Sequence, residues 1–328
     1  MKKMISLLTA LTLVLTLFAG CGAAPAATTA AAPETTEATE PILTGPAALD
    51  GKKIMFVGNS YTYLGNCVLS KSDLRQNERI YDQGLFFQLC KLHGAEVNVT
   101  NWCFGGHSSN QIFASVCGKS GACENECHEN YIIDPYYDYV AIQPYYESGY
   151  AGNLQKHLQH IVDFFRKHNP NVKFLLMVPH MAYDLDFRWR NDLEDLDPND
   201  FIICNWGGML NDIVQGTVKV PGATQEYLRS SFVCSITEDD GHHQNLLAGY
   251  ITTLMAYCAI TGESAVGQPY DFASDASINP KFDWELFRSE KYVYDPTTNF
   301  IEIYNSPEDM KGLQMLVDEY LAKYNPER

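Results

Sequence analysis

Basic residues are scarce. The chain has 328 residues, with 23 lysines and arginines against 40 aspartates and glutamates, a net charge of −17. Without Lys2 and Lys3, which lie in a segment expected to be removed, the balance is 21 basic to 40 acidic, or −19. So negative a chain repels polyanions, which argues against nucleic acid as a partner. Long apolar runs are also missing. The run from Ile5 to Phe18 is too short to span a bilayer as an ordinary helix, and no second candidate follows it. No internal repeat is present, which excludes a stacked-repeat architecture. From Gly22 to about Ala48 large apolar side chains are nearly absent, so this Ala, Thr, Pro and Glu stretch cannot bury enough surface to fold.

Lys2 and Lys3 ahead of the Ile5–Phe18 run read as an export signal. The run ends in Leu17-Phe18-Ala19-Gly20-Cys21. Small residues before a cysteine resemble a bacterial lipobox, in which the cysteine becomes the lipidated mature N-terminus. The expected organisation is a lipoprotein signal peptide over 1–20, a disordered tether over 21–48 and a globular domain over 49–328. The protein is then exported and anchored to the bacterial cell membrane or surface, touching the membrane only through the lipid on Cys21. Ten cysteines less Cys21 leave nine, so pairing in an exported protein leaves at least one free thiol. Cys117, Cys123 and Cys127 cluster next to His128. Their spacings are not those of a C-x2-C ligand pair, which favours disulfides or inert thiols over a zinc site. No metal or other cofactor is expected.

Apolar runs alternate with amphipathic segments from about residue 50 onward. Strands are expected over 53–58, 96–103, 139–143 and 173–179, with a weaker one over 231–236. Helices are expected over 82–93, 153–168, 244–261 and 308–324. The clearest is 153–168, where Leu154, Leu158, Ile161, Val162 and Phe165 share one helical face. A hairpin is expected over 292–303. Such alternation predicts a parallel sheet with helices on both faces, whose sites form at the carboxyl ends of the strands. Insertions over 117–137 and 181–200 lie where they would rim that edge.

Lys53-Ile-Met-Phe-Val57 runs into Gly58-Asn59-Ser60. A buried strand that stops at a glycine presents the serine at an exposed tip, a position suited to a nucleophile. A candidate base lies in Thr237-Glu-Asp-Asp-Gly-His-His-Gln-Asn245. Asp240 precedes His243 by three residues, and Asp239 precedes His242 by the same, so spacing does not choose between them. Asn101-Trp-Cys-Phe-Gly-Gly-His-Ser-Ser109 offers glycines that let a backbone N–H approach a developing oxyanion.

Together these segments resemble the SGNH (GDSL-type) hydrolases. Gly58-Asn-Ser-Tyr-Thr62 is similar to that family's first block, with Asn59 in place of aspartate. Asn101 to Gly106 is similar to the second block, in which Gly106 supplies an oxyanion N–H. Asp240-Gly-His-His243 is similar to the last block, and Gly249 falls six residues on from His243, where the family has a glycine. On that resemblance Asp240 and His243 complete a triad with Ser60. The oxyanion hole is then the N–H groups of Ser60 and Gly106, with Gln143 or Tyr145 as a third donor. The implied fold is a three-layer α/β/α sandwich around a mostly parallel five-stranded sheet, flavodoxin-like, with its core over about 50–261 and a small C-terminal appendage over 262–328. An α/β-hydrolase, the competing architecture, needs Gly-x-Ser-x-Gly, and the second glycine is absent here.

The resemblance implies a serine esterase. The tether, the acidic surface and an aromatic-bearing rim (Tyr183, Phe187 and Trp189) point to acetylated extracellular carbohydrate as its substrate. The alternative is a surface glycan-binding lipoprotein whose catalysis is impaired.

Overall fold

The computed structural model describes residues 44–63, 67–68, 84–103, 112, 135–144, 154–179, 200–234, 243–274 and 305–326. Residues Ile42–Arg328 form one compact unit. Its centre is a sheet of β1 (Lys53–Gly58), β2 (Asn98–Cys103), β3 (Tyr139–Ile142), β4 (Lys173–Met177) and β5 (Phe201–Cys204). The spatial order is β2-β1-β3-β4-β5 and every pairing is parallel. This is the flavodoxin-like order. Its switch point lies between β1 and β3, where successive connections leave for opposite sides of the sheet.

The central strands do not alternate apolar with polar, because helices cover both faces. From β1, Ile54 and Phe56 enter one core and Met55 and Val57 the other. On the second face lies α3 (Leu154–His168), which buries Leu158, Ile161, Val162 and Phe165. On the first face lie α2 (Leu85–Leu92), α4 (Trp206–Val214), α5 (Leu246–Thr261) and α6 (Pro307–Tyr324). Every residue of α5 is buried, so it is apolar nearly all round rather than along one stripe. A one-turn helix, α1 (Ser60–Tyr63), follows β1 directly.

One expectation needs correction, and two elements were not expected. The strand in the run over 231–236 is not part of the central sheet. It is β6 (Val233–Cys234), which pairs antiparallel with β7 (His243–Gln244) in a separate two-stranded ribbon. The fifth sheet strand is β5, a four-residue apolar run hidden at the end of an Asp- and Asn-rich stretch. So short a run carries no periodicity of its own. It is a strand because it adds to the edge of β4 and because Arg166 of α3 grips Asp200 at 2.6 Å just before it. Its successor α4 was also unforeseen; Asn205 caps it by accepting the Gly208 N–H at 2.9 Å.

The helix of the C-terminal extension is built into the sandwich. α6 packs on α4, α5 and β5. The Asn325 side chain, just beyond it, pairs with the N–H and carbonyl of Ile203 at 2.8 and 3.0 Å. An amide there occupies backbone groups that an edge strand otherwise leaves open. The expected hairpin over 292–303 lies outside the described residues.

Candidate active site

β1 ends at Gly58, and Asn59 turns the chain into α1. Asn59 Oδ1 accepts the Tyr61 N–H at 3.0 Å, and the Asn59 carbonyl accepts the Thr62 N–H at 2.9 Å. The asparagine thus starts the helical turn as a cap residue does. A second brace comes from β3. Gln143, only 1% exposed, sends Oε1 to the Asn59 N–H and the Thr62 hydroxyl, both at 3.0 Å. A backbone N–H only donates, so the amide oxygen must face the turn, and Nε2 then donates to the Pro144 carbonyl at 2.7 Å. One amide hydrogen of Gln143 is committed there, and its oxygen serves the turn. Gln143 therefore ties β1 to β3 across the switch point.

Crowding explains Gly58. A Cβ there would lie 2.5 Å from Thr62 Oγ1 and 2.7 Å from Gln143 Oε1. Its φ is not in the positive range, so space rather than backbone conformation demands glycine. Both obstructing atoms are held by hydrogen bonds and cannot swing away independently. Gly58→Ala is expected to cost about 1–3 kcal/mol through overpacking. A denaturant titration checks this, and a stability within a few tenths of wild type would refute the crowding account.

His243 reaches the same place from 183 residues away. β7 holds it in register with Cys234. Immediately afterwards Asn245 caps α5, accepting the Ala248 N–H at 3.1 Å and donating to the Ser231 carbonyl at 2.8 Å. Ribbon and cap together aim the imidazole at α1. His243 Nε2 lies 2.9 Å from Ser60 Oγ. Each residue is 8% exposed, sheltered yet at the edge of solvent. The ring stacks on Tyr61, with centroids 5.4 Å apart and planes at 25°. The neighbouring Gln244 donates from Nε2 to the Tyr61 carbonyl.

Of the sequence-derived candidates, the structure brings Ser60, His243 and Gln143 together at one turn. Gly106, Asp240, Tyr145 and Cys21 lie outside the described residues, as do Asp239 and His242. β2 does end beside the site, with Cys103 in register with Gly58. Asn101 belongs to β2 itself, where its side chain accepts the Cys103 N–H at 2.8 Å. Tyr61, Thr62 and Gln244 are contributors that sequence reasoning did not single out. Thr62 was visible as part of the first motif; nothing marked Gln244 except its place after His243.

The cysteine cluster with His128 also lies outside the described residues. Cys67, Cys90, Cys103 and Cys258 are buried free thiols, and Cys204 is buried as well. Burial pushes Cys67 up to about 12 and raises Cys90, Cys103 and Cys258 further, so these stay protonated at neutral pH. A protonated thiol in a dry core is no nucleophile, which leaves Ser60 without a competitor among them. Among the described residues no group of three or more His, Cys, Asp or Glu could hold a metal ion.

The chain is an α/β sandwich with a serine and a histidine in hydrogen-bond contact at the carboxyl edge of its parallel sheet. No family model matches it, and no curated protein does. Among solved structures it is similar to the acetylxylan esterase Axe2 from Geobacillus stearothermophilus, at 14% identity over 65% of this chain and 95% of that one, with a TM-score of 0.41. A DUF4886 family protein from Bacteroides uniformis is similar at 14% identity, over 84% of this chain and 96% of that one, also with a TM-score of 0.41. At so low a likeness neither family nor reaction transfers, and the functional reading rests on the atoms around Ser60.

Proposed function

We propose that the protein is a serine esterase of the SGNH type, acting on acyl esters, most simply acetyl esters, of extracellular carbohydrate. The observation that carries the reading is the 2.9 Å contact between Ser60 Oγ and His243 Nε2 at the carboxyl edge of the sheet. With the imidazole proton on Nδ1, Nε2 accepts the Ser60 hydroxyl proton as Oγ attacks the ester carbonyl. The tetrahedral oxyanion is held by the N–H groups of Ser60 and Gly106, with Gln143 or Tyr145 as a third donor. The imidazolium returns its proton to the leaving alcohol, and the acyl group stays on Ser60. Water, deprotonated by His243, then attacks the acyl carbonyl. Collapse of the second intermediate frees the acid and restores the serine. Asp240 holds the ring's tautomer and balances the charge of the imidazolium. Export on a lipid-anchored tether through Cys21 places this chemistry at the cell surface.

A fluorophosphonate probe tests the reading, together with a screen for acetate release from acetylated xylan, pectin, sialic acid and peptidoglycan fragments. Labelling at Ser60 and acetate release are expected. Asp240→Asn should lower kcat by about 10³–10⁴-fold, the scale on which losing the carboxylate partner costs a serine–histidine pair. Asp239→Asn should change it little. Faster cleavage of long acyl chains than of acetyl esters, with no acetate freed from any glycan, would overturn the substrate. An unlabelled serine with retained glycan binding would favour a binding protein instead.

A further inference from the structure

α1 is a single turn, Ser60–Tyr63, too short to satisfy its own carbonyl groups. The residue that does so stands next to the histidine. Gln244 donates from Nε2 to the Tyr61 carbonyl, and the same nitrogen lies 3.4 Å from the Thr62 carbonyl. The far end of the amide is held as well, because Oε1 accepts the Thr252 hydroxyl of α5 at 3.1 Å. Thr252 Oγ1 also lies 2.8 Å from the Ala248 carbonyl, so its single hydrogen is shared between Gln244 Oε1 and its own helix. The side chain is 1% exposed and anchored at both ends. A carbonyl only accepts, so the nitrogen must face α1, and no flipped amide makes both contacts.

Ser60 and His243 arrive on segments that share no sheet. Their relative position depends on whatever ties α1 to β7. The Ser60–His243 bond itself cannot serve, since it is the bond the reaction breaks and remakes. The Tyr61–His243 ring contact resists compression but lets the rings slide. The Gln244 amide is directional and does not take part in the proton transfer.

We propose that Gln244 is a positioning residue that sets the distance between Ser60 and His243 by latching the turn of one to the strand of the other. This rests on reading Ser60 and His243 as nucleophile and base. Gln244→Met keeps the length and volume of the side chain but removes both polar ends. In the folded variant, kcat for an acetyl ester is expected to fall about 10–100-fold with KM within about twofold, because a drift of about 1 Å costs on the order of 10²-fold. Thr252→Val, which frees only the far end of the amide, should give a smaller loss in the same sense.

A second readout needs no substrate. The ¹⁵N shift of His243 Nε2 in the neutral ring is expected to differ between wild type and Ser60→Ala, because only wild type has the serine hydrogen bond. In Gln244→Met that shift is expected to move toward the Ser60→Ala value. Unchanged kcat and an unchanged ring-nitrogen shift in the folded variant would overturn the latch. A merely structural glutamine would give that result with a lowered melting temperature. If wild type neither labels nor hydrolyses esters, the esterase reading falls, and the ring-nitrogen shift still decides the role of Gln244. If Gln244→Met does not fold, Thr252→Val decides by the same two measurements.

Discussion

Ser60→Ala is expected to lower kcat for ester hydrolysis by about 10⁵-fold or more. The substitution deletes one atom, and that atom is the one 2.9 Å from His243 Nε2. Among the described residues nothing nearby can take its place, since the Cys103 thiol is buried and held protonated. Thr62 spends its hydroxyl on Gln143. The turn itself should survive, because Asn59, Gln143 and Gln244 brace it through other atoms. Stability should therefore fall by only about 1 kcal/mol, the usual worth of one buried hydrogen bond. Activity loss with a near-native melting curve is the signature to look for, along with complete loss of fluorophosphonate labelling. A variant that still hydrolyses esters at a tenth of the wild-type rate would remove Ser60 from the mechanism.

His243→Ala should have an effect of similar size for a different reason. The nucleophile remains, but its proton has no acceptor, so the attacking species is a neutral hydroxyl. Two features separate this variant from Ser60→Ala. First, the vacated space lies against the Tyr61 ring, and added imidazole should restore part of the activity by entering it. Second, the two losses should not add. In the proposed mechanism serine and histidine act as one unit, so the double variant should be about as slow as either single one. A double variant slower than both singles by the product of their effects would mean the two residues act independently. A single His243→Ala variant within tenfold of wild type would mean that His243 is not the base.

Much of this was legible along the chain. The helix over 154–168 is plain because Leu158, Ile161, Val162 and Phe165 recur on one face. β1 is plain because it is apolar from Ile54 to Val57 and ends at a glycine. Ser60 was legible as the polar residue that follows a strand, whereas His243 was one of two histidines that spacing left unseparated and only the family resemblance singled out. β5 was not legible, since four apolar residues at an edge make no pattern. The brace that Gln143 gives the turn was not legible either, because only the direction of its amide shows that the oxygen faces Asn59 and Thr62.

By itself the sequence determined the alternation of strands and helices, and with it a sheet buried on both faces. It also determined the residue types at the turn, because strand periodicity, small turn residues and polar motifs are local properties of the chain. Tertiary structure alone decided the strand order, the crowding that makes Gly58 a glycine, and the meeting of Ser60 with His243 under the Gln244 amide. Those facts depend on distances between segments nearly two hundred residues apart, and no local pattern encodes such a distance.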